Sequence, residues 1–129
     1  MRRFLLLTLT MFWVSGFTLV CSAQEDERVL HVSTYGNDAW SGDLARPNAD
    51  RTDGPLASIT AARDRIRVLK TSGGFDRPVR VVIQGGDYFV NAPVTFGAED
   101  SGAPGKRITY EAAEGQRPVI NGGRRIKGW

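Results

Sequence analysis

The chain has 129 residues, with 17 lysines and arginines against 14 aspartates and glutamates and a formal net charge of +3. The basic and acidic residues are interspersed, so the sequence predicts no basic surface of the kind that binds nucleic acid. The single cysteine, Cys21, lies near the N-terminus, which excludes a disulfide-stapled framework and leaves no material for a zinc or cysteine-based catalytic centre.

Residues 1–23 have the plan of a secretory signal. Arg2 and Arg3 precede an apolar stretch over residues 4–20, and small residues follow it. We predict cleavage after Ala23, which leaves 15 basic and 14 acidic residues and a net charge of +1. The prediction places the protein in the periplasm or outside the cell, with no membrane anchor after cleavage.

Two other interpretations of this leader remain open. A membrane-spanning anchor needs about 20 apolar residues, and this stretch is shorter and interrupted. A lipoprotein would be acylated at Cys21, but the residue before it is Val20 where a small residue is expected. Both are weaker than a cleaved signal.

Residues 24–57 are predicted to contain a polar lead-in, a first strand and a long loop. The β-branched run at residues 29–34 predicts the strand. Residues 35–55 are rich in Gly, Asn, Asp, Ser, Pro and Arg, which is typical of a loop. Its oxygen-bearing side chains suggest a calcium site, but the spacing of a calcium loop is absent, so turn formation and capping are favoured. These side chains are Asn37, Asp38, Asp43, Asp50 and Asp53.

Residues 58–129 are predicted to form a capping helix followed by strands. Ser58 is a suitable N-cap, and apolar residues at spacings of three and four predict an amphipathic helix from Ser58 to about Lys70. These apolar residues are Ile59, Ala62, Ile66 and Leu69. The mixed charges at residues 63–67, which include Arg63, Arg65 and Arg67 around Asp64, are interpreted as a solvated helix face.

Short β-rich runs follow the helix. They lie at residues 79–83, 88–90, 94–96, 107–112 and 118–121, with glycine pairs at 85–86 and 122–123 as bends. The order of features repeats crudely at an offset of about 25 to 29 residues, which is within the range of solenoid repeats.

Five sequence segments carry a family resemblance: VSTYGNDAWSGDLARP, PLASITAARDRIR, GGDYFV, EDSGAPGKRITYEAAEG and PVINGGRRIKGW. In this order they resemble the N-terminal region of secreted bacterial right-handed parallel β-helix (pectate-lyase-like) proteins, which include β-helix glycoside hydrolases. The resemblance implies a mainly β fold: an N-terminal cap, with the helix as a lid, and the first one or two coils, incomplete at the C-terminus. It also implies an active site on later coils, so no catalytic, cofactor-binding or metal-binding residue is assigned here.

The acidic and nucleophilic candidates admit both catalytic and structural interpretations. Glu99 or Asp100 with Glu111 could form a glycosidase carboxylate pair, but the resemblance places them in the cap, where a structural role is favoured. The Asp100-Ser101-Gly102 segment lacks the strand-to-helix context of a nucleophile elbow and is interpreted as a turn.

The histidine and aromatic candidates likewise admit a functional and a structural interpretation. His31 has no second histidine or remaining cysteine to act with, and is interpreted as structural. Tyr35, Trp40 and Tyr88 could stack on sugars, although packing between loop and core is favoured.

The sequence therefore predicts the N-terminal folding cap of a secreted β-helix carbohydrate-active protein, a polysaccharide hydrolase or lyase, itself without activity. Its expected partner is a polysaccharide bound by downstream coils. The alternative is a non-catalytic β-helix that serves as a surface, adhesion or carbohydrate-binding scaffold. In the downstream coils, carboxylates or basic residues gathered on one groove would favour the enzyme, and regular coils with polar ladders would favour the scaffold.

Overall fold

The computed structural model describes residues 26–123 and residue 128, so the predicted signal at residues 1–23 lies outside the described part. This part is mainly strand and loop around one α-helix. The elements are β1 (Arg28–Val32), α1 (Ile59–Thr71), β2 (Val79–Ile83), β3 (Gly86–Phe89), β4 (Ile108–Ala112) and β5 (Pro118–Asn121), with a 3-10 helix at Ala98–Asp100. None of the described helices is long and apolar enough to cross a membrane.

All strand pairs are parallel and belong to two small sheets. One sheet has the order β1-β2-β4 and the other pairs β3 with β5. Leu30, Val81 and Tyr110 lie at the same level of the first sheet. Val79 pairs with Ile108, 29 residues later, which agrees with the offset expected from the sequence.

The core lies under the first sheet and beneath α1. Alternate residues of β1 and β2 point into it, as expected for strands buried on one face. From the helix, Ile59, Ala62 and Ile66 are buried against them. The other buried apolar residues are Leu30, Val32, Leu56, Val79, Val81, Ile83 and Tyr88. The predicted helix face is confirmed at three of its four positions, because Leu69 is only half-buried.

The ends of α1 follow from local chemistry. The Ser58 hydroxyl accepts a hydrogen bond from the Ala61 N–H at 3.0 Å, which satisfies a donor that the helix itself cannot pair. At the other end Gly73 has a φ of 78°, the left-handed conformation that ends helices at little cost in glycine. The sequence predicted the N-cap at Ser58 and an end of the helix near Lys70.

Two local predictions were wrong. Residues 94–96 form no strand, although Val94 packs against the core as a partly buried side chain. The helix face at residues 63–67 is not simply solvated: the Arg63 side chain is only 12% exposed and its Nη1 donates to the Thr95 carbonyl at 2.7 Å. The apolar pattern at residues 94–96 and the charge pattern at residues 63–67 were misleading because the two segments contact each other through Arg63 and Thr95.

The two edges of the three-stranded sheet differ. The long loop hydrogen-bonds along the outer edge of β1, since His31 N–H donates to the Gly42 carbonyl at 2.7 Å and Ser33 N–H to the Leu56 carbonyl at 2.8 Å. Leu56 N–H in turn donates to the His31 carbonyl at 2.8 Å. No described strand pairs with the outer edge of β4. The sheet is therefore covered at β1 and open at β4.

Candidate functional site

A cavity of about 730 Å³ lies between the long loop and the residue that follows β2. This volume falls within the range of about 300–1,000 Å³ that is common for small-molecule sites. Its lining includes two aromatic residues, two arginines and two carboxamides: Tyr35, Trp40, Arg46, Arg51, Asn48 and Gln84. No described carboxylate lines it. The described lining thus combines aromatic, basic and amide side chains.

The aromatic side of the cavity is set by a close approach of backbone to ring. A Cβ atom added at Gly54 would lie 2.7 Å from Trp40 Cε3, so only glycine lets the chain pass this close to the indole. The Arg65 guanidinium donates to the Trp40 carbonyl at 2.5 Å and ties this turn to α1. Tyr35 is 81% exposed, which leaves its ring available for stacking.

The basic side of the cavity is held by a side-chain network centred on Asn48. Asn48 Oδ1 accepts the backbone N–H of Thr52 at 2.9 Å and of Asp53 at 3.2 Å, and its Nδ2 donates to the Thr52 hydroxyl at 2.8 Å. Arg51, within this turn, has a φ of 53°, a left-handed conformation that costs a non-glycine residue about 1–2 kcal/mol. The surrounding hydrogen bonds hold it there.

The two arginines of the cavity differ from five of the eight other described arginines. Five described arginines lie within 3.1 Å of a carboxylate oxygen: Arg28, Arg63, Arg67, Arg77 and Arg80. Arg46 and Arg51 form no ion pair with any carboxylate of the described residues. The cavity therefore carries positive charge that the fold does not neutralise.

Two polar groups complete the lining. Gln84 Nε2 donates to the Ala45 carbonyl at 2.6 Å, which joins the end of β2 to the loop, and the Gln84 carboxamide oxygen makes no hydrogen bond within the described chain. The Ser33 hydroxyl, in a residue that is only 2% exposed, accepts the Tyr35 N–H at 3.3 Å. Both groups can meet a hydroxyl of a bound ligand.

Four of the five loop residues considered for calcium have hydrogen-bond or ion-pair partners within the described chain. Asp38 accepts the N–H groups of Ala57 and Ser58, at 2.8 and 2.9 Å. Asp53 accepts the Ser41 N–H at 2.7 Å, and hydrogen bonds from Ser41 lower the pKa of this carboxyl. The other three serve locally or stand exposed: Asn37 accepts the Ala39 N–H, Asp43 pairs with Arg28, and Asp50 is exposed. Within the described residues no three potential metal ligands cluster.

The carboxylates considered as a glycosidase pair have separate partners. Asp100 binds Arg67 on α1 through two contacts of 2.7 Å, and Glu99 lies 3.0 Å from the same guanidinium. Glu111 lies 3.1 Å from Arg80, on the face of β4 opposite Tyr110. These carboxylates thus link elements of the fold.

Two further candidates belong to the core and its margin. Tyr88 is buried, and its hydroxyl donates to the Gln84 carbonyl at 2.7 Å, while burial raises the pKa of the phenol. His31 lies in β1 and pairs with Val82 of β2. Its pKa is lowered mainly by burial and to a lesser extent by the positive charge of Arg80. Of the three aromatic residues considered for stacking, the structure brings only Tyr35 and Trp40 to the cavity.

The fold is similar to that of a solved structure described as a glycoside hydrolase. The two agree with a TM-score of 0.65 and 25% sequence identity, over 78% of this chain and 16% of that chain. This chain thus spans less than a fifth of the length of that protein. No protein-family model matches the sequence, and no curated protein matches it.

Sequence reasoning missed the basic half of the cavity. Arg46 lies near the end of the first of the five segments that carry the resemblance and Arg51 follows it in the loop, but the sequence assigns neither a binding role, and Gln84 lies more than 30 residues further along the chain. Only the pairing of β1 with β2 brings Gln84 beside the loop. The sequence did offer one signal: Asn48, Asp50 and Asp53 are residue types that favour tight turns, so a turn that holds Arg51 could have been expected.

Proposed function

We propose that this chain forms the N-terminal folding cap of a secreted, carbohydrate-active protein built as a right-handed parallel β-helix. The observation that carries the proposal is the difference between the two edges of the β1-β2-β4 sheet. A loop hydrogen-bonds along β1, whereas β4 presents an edge with no strand neighbour among the described residues. Covered edges are how sheets avoid unwanted pairing, so β1 is the closed end of a stack.

The succession of strands supports a coil-like path. β2 and β3 lie in different sheets, and β4 and β5 return to those same two sheets in the same order. Each later strand pairs in parallel with its counterpart from the earlier pair. Repeats that stack only on their neighbours are the principle of a solenoid.

Burial along the stack supports its direction. Val79, Val81 and Ile83 of β2 are buried, but the equivalent residues of β4 are half-buried or exposed. Val119 and Ile120 of β5 are 43% and 59% exposed. A further coil stacked on β4 and β5 would cover this apolar surface, while α1 covers the core near β1.

The carbohydrate part of the proposal has two supports. One is the similarity in fold to the protein described as a glycoside hydrolase. The other is the cavity beside Trp40, whose aromatic and amide lining suits a sugar, because sugars present both apolar ring faces and hydroxyl groups. The absence of described carboxylates from the lining also favours the second candidate function, a carbohydrate-binding module without catalysis.

Affinity electrophoresis of the purified protein through gels that contain pectin, xylan or a neutral β-glucan tests the carbohydrate part. We expect at least one polysaccharide to retard the protein, with no new reducing ends and no unsaturated products in parallel assays. Migration unchanged in every gel would overturn the carbohydrate assignment. Cleavage of any of these polymers by this chain would overturn the assignment as a cap without activity.

Amide hydrogen exchange followed by NMR tests the cap. The N–H groups of His31 and Ser33, bound by the loop, are expected to exchange slowly, as for buried ladder bonds. Amides on the outer edge of β4 are expected to exchange much faster. Equal protection at both edges would contradict a stack that is closed at β1 and open at β4.

A further inference from the structure

We infer that the cavity beside Trp40 is a binding site for an anionic saccharide, a sugar that bears a carboxylate or a sulfate group. The inference rests on the proposed function, from which it takes the carbohydrate class, and it adds the charge of the ligand and the residues that select it. Its basis is one juxtaposition: two arginines without ion pairs and two aromatic rings line the same cavity.

The first step is the charge. Folding places a carboxylate beside five of the ten described arginines, but not beside Arg46 or Arg51. Of the two acidic residues in this turn, Asp53 is engaged by Ser41 and Gly54, and Asp50, next to Arg51 in sequence, forms no ion pair within the described chain. A guanidinium fork matches a carboxylate or sulfate with two parallel hydrogen bonds, so the unpaired arginines select an anion.

The second step is preorganisation. Arg51 is fixed in a left-handed conformation by a turn in which Asn48 accepts hydrogen bonds from two backbone amides, and the Arg51 N–H itself donates to the Asn48 carbonyl at 3.0 Å. A strained residue that the surrounding structure holds in place is a common feature of binding sites. The turn therefore holds the backbone of a cavity arginine before any ligand arrives.

The third step distinguishes a saccharide from a simple anion. Tyr35 is highly exposed and Trp40 stands against Gly54, so the two aromatic rings add apolar surface to the basic lining. Sugar rings stack on such surfaces through their C–H faces, whereas phosphate or sulfate alone gains nothing from them. The Gln84 carboxamide oxygen and the Ser33 hydroxyl are then available for ring hydroxyls.

The test measures binding of three soluble oligosaccharides to the purified protein by calorimetry: an oligogalacturonate, a sulfated oligosaccharide and a neutral xylo-oligosaccharide. We expect an anionic ligand to bind more tightly than the neutral one and to weaken as salt rises from about 50 to 500 mM, since salt screens exposed charges. Preference for the carboxylated or the sulfated ligand identifies the acidic group, and either result supports the inference.

The variants are Arg46→Gln and Arg51→Asn, because asparagine tolerates the left-handed conformation that position 51 requires. Each should weaken binding of the anionic ligand about tenfold, the size of effect expected when a charged hydrogen-bonding partner is lost. Tyr35→Ala should weaken it as well, with an unchanged thermal melt. Arg117→Gln, at an exposed arginine outside the cavity, serves as the matched control and should bind as the wild type does.

The outcomes separate this inference from the proposed function. Retardation by a neutral polysaccharide, with no preference for an anionic ligand and no effect of either arginine variant, would overturn the inference and leave the proposed function standing. Binding to no carbohydrate at all would overturn both. A folded protein that carries both Arg46→Gln and Arg51→Asn and still prefers the anionic ligand as the wild type does would also overturn the inference.

Discussion

Arg67 of α1 and Asp100 of the 3-10 helix form a bidentate ion pair, with Nε–Oδ1 and Nη2–Oδ2 distances both of 2.7 Å. The Asp100 side chain is only 5% exposed, and its Oδ2 also accepts the Gly97 N–H at 2.7 Å. The hydrogen bonds from Arg67 hold the pKa of this carboxyl well below its usual range. The pair fastens the segment before β4 onto the helix.

This ion pair predicts an acid-dependent loss of stability. Because the pKa of Asp100 is lower in the folded state, its contribution is present above the pKa of the unfolded chain and is lost as pH falls through the folded value. We expect Asp100→Asn to lower the melting temperature at pH 7, and the difference from the wild type to shrink below about pH 4. Thermal melts from pH 2 to pH 7 check this.

Glu114→Gln is the control for that series, because Glu114 lies in an exposed turn and forms no ion pair within the described chain. Its melting curve should follow the wild type at each pH. A difference between Asp100→Asn and the wild type that stays constant down to pH 2 would show that the carboxylate charge is not what stabilises this contact.

The buried face of α1 predicts a large contrast between two neighbouring substitutions. Ile66 is 2% exposed and Val68 is 56% exposed. Ile66→Asp buries an unpaired carboxylate and should cost several kcal/mol, whereas Val68→Asp should change the free energy of unfolding by about 0.5 kcal/mol or less. Urea denaturation of both variants provides the comparison. Similar losses in the two would remove α1 as the lid over the core.

The start of α1 predicts a smaller, local effect. Ser58 accepts from the Ala61 N–H and also donates its hydroxyl to Asp38 at 2.9 Å. Ser58→Ala should therefore cost about 1 kcal/mol, the usual value of a lost N-cap, and Ser58→Thr should recover most of it. Equal stability of the alanine and threonine variants would mean that the cap contributes nothing measurable.

The leader predicts a defined exported product. Arg2 and Arg3, the apolar stretch at residues 4–20 and Ala23 lead us to propose that the secreted protein begins at Gln24. Mass spectrometry of the protein recovered from the periplasm or medium should give that N-terminus. Retention of Met1, or a lipid on Cys21, would contradict the cleavage.

Local regularities explain why much of the fold was predictable. The three- and four-residue spacing around Ile66 predicted α1, and the β-branched run at residues 79–83 matches β2 at both ends. Residues 118–121 were likewise predicted as a strand, and they form β5. In each case the neighbours in sequence carry the pattern that the element needs.

The rest depends on contacts between distant residues. Val94 has the pattern of a strand residue, yet it packs against the core without a strand partner among the described residues, and Arg63 on α1 donates to the neighbouring Thr95 carbonyl. The cavity joins Arg46 and Arg51 to Gln84, which approach only through the pairing of β1 with β2. Spacing along a chain contains no such information.

The loop that covers β1 also limits how copies of this protein can associate. Because β1 is already hydrogen-bonded by its own chain, a second copy that adds to the β1-β2-β4 sheet can pair only along β4 in the described region. Two molecules that meet there use the same edge on both sides, which gives a closed, isologous pair. A cross-β fibre built on this sheet would need two open edges on every molecule. The loop covers one of them and so blocks that growth.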